Sequence, residues 1–266
     1  YGLGLSSNLA DNSGILRYVR IEYAGYALLP DKEINGLTLG GVGNQTIVDY
    51  VQVSYANDDS FEWFGGSVNC KHLISFRTLD DDFDTDNGYS GKVQFGISLR
   101  DSSIADISKS EAFESDNDAN GSSRKTFLQA IDVSANNPVA IVPVRTSVVF
   151  SNMTLIGPKE SATSKGNSLF LAGAQIRRNS EMSIFNSVFL GWGGGSGNGL
   201  LIDASKGVPT DLSLAPAGGL NFQNNIIAGP VTNAISYAAS ATAPTGATKA
   251  TIIDCVNTTA FGNVLL

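Results

Sequence analysis

Two stretches near the start of the chain alternate apolar and polar residues in the same order. Leu16-Arg-Tyr-Val-Arg-Ile-Glu-Tyr-Ala24 aligns with Val48-Asp-Tyr-Val-Gln-Val-Ser-Tyr-Ala56 at an offset of 32 residues. Alternation with a period of two predicts a β-strand with one buried face. The offset therefore predicts equivalent strands in successive units of an internal repeat.

A second repeated pattern is acidic and centres on Leu79–Gly88. Asp58–Gly66 overlays Asp80–Gly88 at an offset of 22 residues, and a third copy lies at Ala112–Asp118. One column of this alignment is aromatic (Phe61, Phe83, Phe113) and the next is acidic (Glu62, Asp84, Glu114). With the aromatic column inside, alternation predicts an outward row comprising Ser60, Glu62, Phe64, Asp82, Asp84, Asp86, Glu114, Asp116 and Asp118.

A third pattern occupies the second half of the chain. Phe150–Pro158 aligns with Phe222–Pro230 at an offset of 72 residues, and Ile184–Trp192 lies between them at 34 from the first. The alignment places Asn152, Asn186 and Asn224 in one column, which Asp254 also fits. Amides at one turn position of stacked strands hydrogen-bond to each other, so this column predicts a side-chain ladder.

Short strands at irregular spacing, each closed by Gly or Asn, predict an all-β fold, a right-handed parallel β-helix. Its coils of about 22 to 38 residues stack at a spacing of about 4.8 Å. Residues 1–266 form one domain in this interpretation, with surface loops at 24–34, 101–125, 191–199 and 238–248. An ordinary β-sandwich with accidental self-similarity is the alternative.

Composition narrows the choice of partner. The chain of 266 residues has a net charge of −8, a pI near 4.6 and 16% charged residues. Nucleic acid is disfavoured because phosphate binding requires a basic surface. A cation or a neutral polyhydroxy ligand fits better. No apolar run approaches the ~20 residues of a transmembrane helix. A single histidine, His72, excludes a His-based zinc site.

The repeats also resemble a known family. Leu16–Gly25, Ile34–Gly43, Asp58–Gly66 and Leu79–Gly88 are similar to secreted or outer-membrane-anchored surface proteins of Bacteroidetes-type Gram-negative bacteria. The resemblance implies a right-handed parallel β-helix and a location on the outer surface or outside the cell. It supplies no catalytic residues. It also implies further coils before Tyr1, so we expect an N-terminally truncated chain.

The outward acids predict a metal site, because stacked carboxylates about 5 Å apart repel and need a counter-charge. Ca²⁺ is preferred because it accepts six to eight oxygens in irregular geometry. The predicted ligands are Glu62, Asp84, Asp86, Glu114 and Asp116. A solvated acidic face, with protons shared between carboxyls or with Lys and Arg partners, is the alternative.

Two functional classes follow. The preferred one is a non-catalytic binding protein that recognises polysaccharide or another surface protein, with Phe64 outward beside the acids as the ligand-contacting residue. Tyr26, Trp63 and Trp192 are further aromatic candidates. The alternative is a polysaccharide lyase or glycoside hydrolase. Its candidate residues are the carboxylate pair Asp82 and Asp84, with Arg100 or Lys71 as the base.

Overall fold

The computed structural model describes residues 9–26, 34–121, 128–131, 140–143, 145–159, 161, 163–164, 166–193, 197–229 and 231–266. Strands dominate this part of the chain. In chain order they are β1 (Ile15–Glu22), β2 (Leu37–Gly40), β3 (Ile47–Ser54), β4 (Phe61–Phe64), β5 (Asn69–Phe76), β6 (Phe83–Asp86), β7 (Lys92–Gln94), β8 (Ile97–Leu99), β9 (Ser110–Ser115), β10 (Leu128–Ile131), β11 (Ala140–Pro143), β12 (Val149–Ser151), β13 (Thr154–Ile156), β14 (Phe170–Arg177), β15 (Ser183–Phe185), β16 (Val188–Leu190), β17 (Asn198–Asp203), β18 (Phe222–Gln223), β19 (Ile226–Ala228), β20 (Asn233–Ala238) and β21 (Val264–Leu265).

These strands form a parallel β-helix. One sheet has seven parallel strands in the order β2-β4-β6-β9-β14-β17-β20. A twelve-stranded sheet begins with the long strands β1, β3 and β5. Beyond β5 it divides, because β5 pairs with β7 through its first half and with β8 through its second half. The predicted all-β parallel β-helix is confirmed, and the antiparallel pairing of a sandwich is confined to the β10–β11 hairpin among the described strands.

The strand registers agree with the sequence alignments. Val19 pairs with Val51, which is the 32-residue offset. Phe61 pairs with Phe83 and Glu62 with Asp84, which is the 22-residue offset. One coil exceeds the predicted maximum of about 38 residues. It runs from Ile97 to its strand partner Thr154 and includes the segment that contains the β10–β11 hairpin.

The core is a continuous row of aromatic side chains inside the coils. The inward column Phe61, Phe83 and Phe113 is fully buried, and its ring centroids lie 5.6 and 5.5 Å apart. Phe150, on the opposite wall, contacts Phe113 at 4.6 Å between centroids. Burying rings of this size contributes strongly to the stability of the coils that hold them.

The twelve-stranded sheet bends at a column of residues with left-handed backbone conformation. In successive coils this bend column consists of Tyr18, Tyr50, His72, Phe95, Asn152, Asn186 and Asn224, with φ from 51° to 64°. Asn tolerates this conformation, whereas a bulky residue costs about 1–2 kcal/mol there. The next strand pairing places Gly262 in the eighth position. The prediction that Asp254 joins the column was wrong, because it lies in the helix α1 (Lys249–Val256).

The hydrogen-bonded ladder lies one residue beyond the bend column, inside the coil. The Ser187 N–H donates to Asn225 Oδ1 at 2.9 Å, and the Asn225 N–H donates to Asn263 Oδ1 at 2.9 Å. Asn225 also donates from Nδ2 to the Ile184 carbonyl at 2.9 Å. The prediction of a ladder through Asn152, Asn186 and Asn224 was therefore wrong in position: its amides belong to the next residue in each coil, the buried Asn225 and the half-buried Asn263.

Helix α1 packs against β20 at the C-terminal end of the solenoid. Thr248 caps it by accepting a hydrogen bond from the Thr251 N–H at 3.3 Å. Its buried side, Ile252 and Val256, adds to the core. The helix thus covers apolar surface that a further coil would otherwise cover.

Candidate functional site

The seven-stranded sheet presents the acidic row on its outer face. β4, β6 and β9 are adjacent, and their register places Glu62 beside Asp84 and Asp84 beside Glu114. The phenylalanines between them point inward and fix this orientation. The predicted stacking of carboxylates across three coils is therefore confirmed.

Three carboxylates converge at the first two rungs. One oxygen each from Asp59, Glu62 and Asp84 lies within 4.8 Å of the others, and Asp58, Asp59 and Asp80 form a second such group. Ligand oxygens that share one Ca²⁺ at 2.3–2.6 Å lie at most about 5 Å apart, so both groups are compatible with a single ion. We call Asp58, Asp59, Glu62, Asp80 and Asp84 the acidic cluster.

The turns before β4 and β6 supply Asp58, Asp59 and Asp80 to the acidic cluster. Asp59 is buried, and its Oδ1 accepts a hydrogen bond from the Asp81 N–H at 2.9 Å. Asn35, also buried, donates its amide to Glu62 and holds that carboxylate in place. Oδ1 of both Asp80 and Asp84 is enclosed without a hydrogen-bond partner in the described part of the chain.

Burial and mutual repulsion raise the pKa values in the acidic cluster. Burial, followed by the charges of Asp58, Asp86 and Glu114, raises the pKa of Glu62 to about 8 against the opposing hydrogen bond from Asn35. Burial, with nearby carboxylates, also raises the pKa of Asp80 to about 8. The pKa values of Asp59 and Asp84 are raised well above the ordinary range by the same causes. The cluster therefore holds protons near neutral pH unless a cation replaces them.

The far end of the acidic row is neutralised by arginines. Arg177 forms ion pairs with Glu114 and, at 3.1 Å, with Asp116. Arg178 Nη1 lies 2.6 Å from Asp116 Oδ2. The five predicted metal ligands thus divide: Glu62 and Asp84 join the acidic cluster, whereas Glu114 and Asp116 have basic partners.

Asp86 lies between these two groups. Burial, together with the charges of Asp116 and Asp118, raises its pKa to about 7. Its Oδ1 accepts the N–H of Asn87 at 2.6 Å. Asp86 is the fifth predicted ligand. It forms no ion pair within the described residues and lies just outside the acidic cluster.

The prediction that Ser60 and Asp82 face outward was wrong. Both are fully buried, because they lie in the turns before β4 and β6, where strand alternation does not apply. Asp82 Oδ1 accepts from Ser75 Oγ at 2.5 Å and lies 3.2 Å from Arg100 Nη1. Arg100 is equally buried, and it also donates to the carbonyl of Asp80 at 2.6 Å.

The four residues of the catalytic alternative are therefore not gathered at one site. Asp82 and Arg100 form an ion pair inside the coil, while Asp84 lies on the outer face. Lys71 belongs to β5 in the other sheet, exposed beside Asp49 and Gln94.

The predicted aromatic contacts also divide by burial. Trp63 and Trp192 are core residues with 0% and 1% of their surface exposed, so their outward roles were wrong. Phe64 is half-buried at the outer face and pairs in register with Asp86. Tyr26 is 76% exposed.

The fold and this site define a class of protein: a parallel β-helix that carries a stacked acidic face. The chain belongs to the pectate-lyase-like β-helix family, since the model described as "Pectate-lyase like beta helix domain" matches residues 2–260. Searches of curated proteins and of solved structures give no match. Among the described residues, no helix is long and apolar enough to cross a membrane.

Proposed function

We propose that this protein is a non-catalytic, secreted or surface-exposed β-helix that binds polysaccharide or another surface protein, and that its acidic cluster binds Ca²⁺. The observation that carries the proposal is the convergence of Asp59, Glu62 and Asp84 within 4.8 Å. None of the three forms an ion pair among the described residues. A divalent cation relieves the repulsion between them and gives the enclosed oxygen of Asp84 a partner.

The chemistry of the cluster favours Ca²⁺ over other common metals. All side chains in it offer oxygen, which hard cations prefer, and no His or Cys contributes. The contributing positions come from turns and from strands of two coils, which gives an irregular arrangement. Ca²⁺ tolerates such geometry, whereas Mg²⁺ demands a near-ideal octahedron.

Calorimetric titration with Ca²⁺ at pH 8 tests the cation site. We expect binding with a dissociation constant on the order of 0.1 mM, as for extracellular Ca²⁺ modules. Because the pKa of Glu62 is about 8, binding displaces protons, and the measured heat depends on the ionisation enthalpy of the buffer. Affinity falls at pH 6.5, where protons compete.

The matched variants are Glu62→Gln and Asp84→Asn on one side and Glu181→Gln on the other. The first two remove ligand charge and lower Ca²⁺ affinity at least tenfold. Glu181 pairs with Arg145 at 2.5 Å away from the acidic row, so its variant keeps wild-type affinity. Absence of binding heat together with an unchanged melting temperature in 5 mM Ca²⁺, a concentration of about fifty times the expected constant, contradicts the proposal.

The catalytic alternative, a lyase or hydrolase, has weaker support because Asp82 and Arg100 are enclosed and Lys71 lies on another sheet. The reaction products distinguish a lyase or hydrolase from a non-catalytic binding protein. A lyase releases unsaturated sugars that absorb in the ultraviolet, and a hydrolase releases reducing ends without that absorbance. Either product, if lost in Asp84→Asn, replaces the binding proposal with an enzymatic one.

A further inference from the structure

A concave surface lies on the twelve-stranded sheet, away from the acidic row. It has a volume of about 600 Å³ and follows the bend column over the coils of β1, β3, β5 and β8. We call this surface the bend groove. One wall consists of the ring edges of Tyr18, Tyr50, His72 and Phe95, and the other of Arg20, Gln52, Ile74 and Ile97.

The rings along the bend groove form one continuous stack. Tyr18 and Tyr50 are 5.0 Å apart between centroids, Tyr50 and His72 4.2 Å, and His72 and Phe95 5.3 Å, with interplanar angles of 15° or less. His72 Nδ1 lies 2.8 Å from Asp49 Oδ1, which fixes its ring within the stack. The wall is therefore rigid and repeats once per coil.

The four aromatic residues of the bend column share an unusual backbone conformation. All four have positive φ, a conformation that disfavours bulky side chains. In the next three coils the same position is Asn, which suits it better. The bend column thus carries rings where the bend groove lies and Asn beyond it, although Tyr23 and Tyr55 also have positive φ outside the groove.

The side chains of the bend groove identify the chemistry of its ligand. Apolar surface comes from Ile74, Ile97 and the aromatic edges, and Gln52, Asn152 and Thr154 add hydrogen-bonding groups. The charge of Arg20 is compensated by Glu22, whose Oε1 lies 3.2 Å from its Nε. A ligand with apolar C–H faces and many hydroxyls satisfies such a surface, whereas a charged ligand finds no unpaired counter-charge there.

We propose that the bend groove binds a neutral polysaccharide whose chain runs along the solenoid axis. The wall repeats every 4.2 to 5.3 Å, a distance comparable to one sugar residue of an extended β-linked glycan. Successive sugars thus meet equivalent surroundings. This inference rests on the carbohydrate-binding part of the proposed function and is independent of its cation site.

The chain itself supplies the variant that tests the bend groove. Tyr50→Asn combined with Phe95→Asn introduces the residue that Asn152, Asn186 and Asn224 already provide at this bend, so the fold is retained while two rings are lost. Tyr23→Asn is the matched control. Tyr23 is also exposed, stacked on a tyrosine and at φ 56°, but it lies outside the bend groove.

The experiment is calorimetry with neutral hexasaccharides of β-1,4-glucan, β-1,4-xylan and β-1,4-mannan, in Ca²⁺ and in EDTA. We expect at least one to bind equally in both, with at least a tenfold loss in the double Asn variant and no change in Tyr23→Asn or Glu181→Gln. Near-ultraviolet circular dichroism verifies the fold of each variant.

Three results overturn the inference: no binding of any neutral hexasaccharide, binding that the double Asn variant leaves intact, or a wild-type dimer that this variant makes monomeric. The last result assigns the bend groove to a second copy of the chain. Hexagalacturonate serves to separate the two proposals. If it binds only with Ca²⁺ and is lost in Glu62→Gln, the acidic cluster binds glycan whatever happens at the bend groove.

Discussion

Arg100 and Asp82 show how a single buried pair stabilises the turn that leads into the acidic row. Arg100 Nη1 contacts the carbonyl of Asp80 and the carboxylate of Asp82, and its guanidinium lies 5.1 Å from the centre of the Phe170 ring. The pair thus connects the acidic turn to the core. Its position explains why Arg100 is not available to the outer face.

Arg100→Met is expected to destabilise the protein by about 3–5 kcal/mol, because it leaves the carboxylate of Asp82 buried without its partner. Asp82→Asn in the same chain recovers part of the loss, since the unpaired charge is then gone. Urea unfolding of the two single variants and the double variant measures the coupling. If the losses in free energy of unfolding of the two single variants simply added up in the double variant, this account of the pair would be contradicted.

At this scale the sequence predicts strand residues well and turn residues poorly. Glu62, Asp84 and Glu114 lie in strands, where alternation fixes which side each occupies. Ser60 and Asp82 precede their strands, so the same rule assigns both to the wrong side. Arg177 and Arg178 were not predicted as partners of the row, because the long coil separates them from Asp116 by some sixty residues and hides the register.

The buried amide ladder is the feature that acts at the scale of the element. Asn225 joins three coils. Its side chain accepts from the Ser187 N–H and donates to the Ile184 carbonyl, and its backbone N–H donates to Asn263 Oδ1. The N–H groups of Ser187 and Asn225 lie at the bend between two strands and donate to the amide oxygens of the ladder. The ladder therefore satisfies groups that the bend would otherwise leave unpaired.

Asn225→Leu, which is close in size but cannot hydrogen-bond, leaves the Ser187 N–H without its partner and removes one hydrogen bond to the Ile184 carbonyl. We expect a loss of about 1–3 kcal/mol in the free energy of unfolding from the unpaired N–H. Asn224→Gly is the control, since Asn224 is exposed in the bend column and Gly262 holds that position in the next coil. A loss in Asn225→Leu no larger than in Asn224→Gly would show that the ladder is dispensable.

Repeats in the sequence also predicted most of the element pairing. Registers across β1–β3 and β4–β6 follow directly from the alignments, because equivalent residues stack in a solenoid. The ladder was located one residue away, since the repeated Asn marks the left-handed bend and the hydrogen-bonding residue varies between Ser and Asn. Asp254 matched by chance, because the capping helix has no counterpart in the repeat.

Charge dominates behaviour at the scale of the whole molecule. The protein carries a net charge of −8, and a dense group of its carboxyl groups faces one side of the solenoid. Several titrate near neutral pH, Asp86 and Glu114 at about 7 and Glu62 at about 8. The folded state consequently binds more protons than an unfolded chain above about pH 4.5.

In EDTA, the free energy of unfolding therefore falls as pH rises from about 4.5 to about 8, because these raised pKa values make ionisation more costly in the folded state. Ca²⁺ opposes this loss, so the melting temperature in Ca²⁺ declines less over the same interval. Thermal denaturation at pH 5, 6.5 and 8 measures both effects. A melting temperature that rises with pH in EDTA would show that the cluster is already ionised and compensated.

The two tryptophans are natural fluorescent probes of the order in which the coils of this solenoid unfold. Trp63 is packed against Tyr89 in the early coils, and Trp192 against Phe170 in the later ones, each almost wholly shielded from water. Coils contact only their neighbours, so unfolding that starts at one end exposes the two indoles at different times. Fluorescence of single-tryptophan variants would thus report the direction in which the coils unravel.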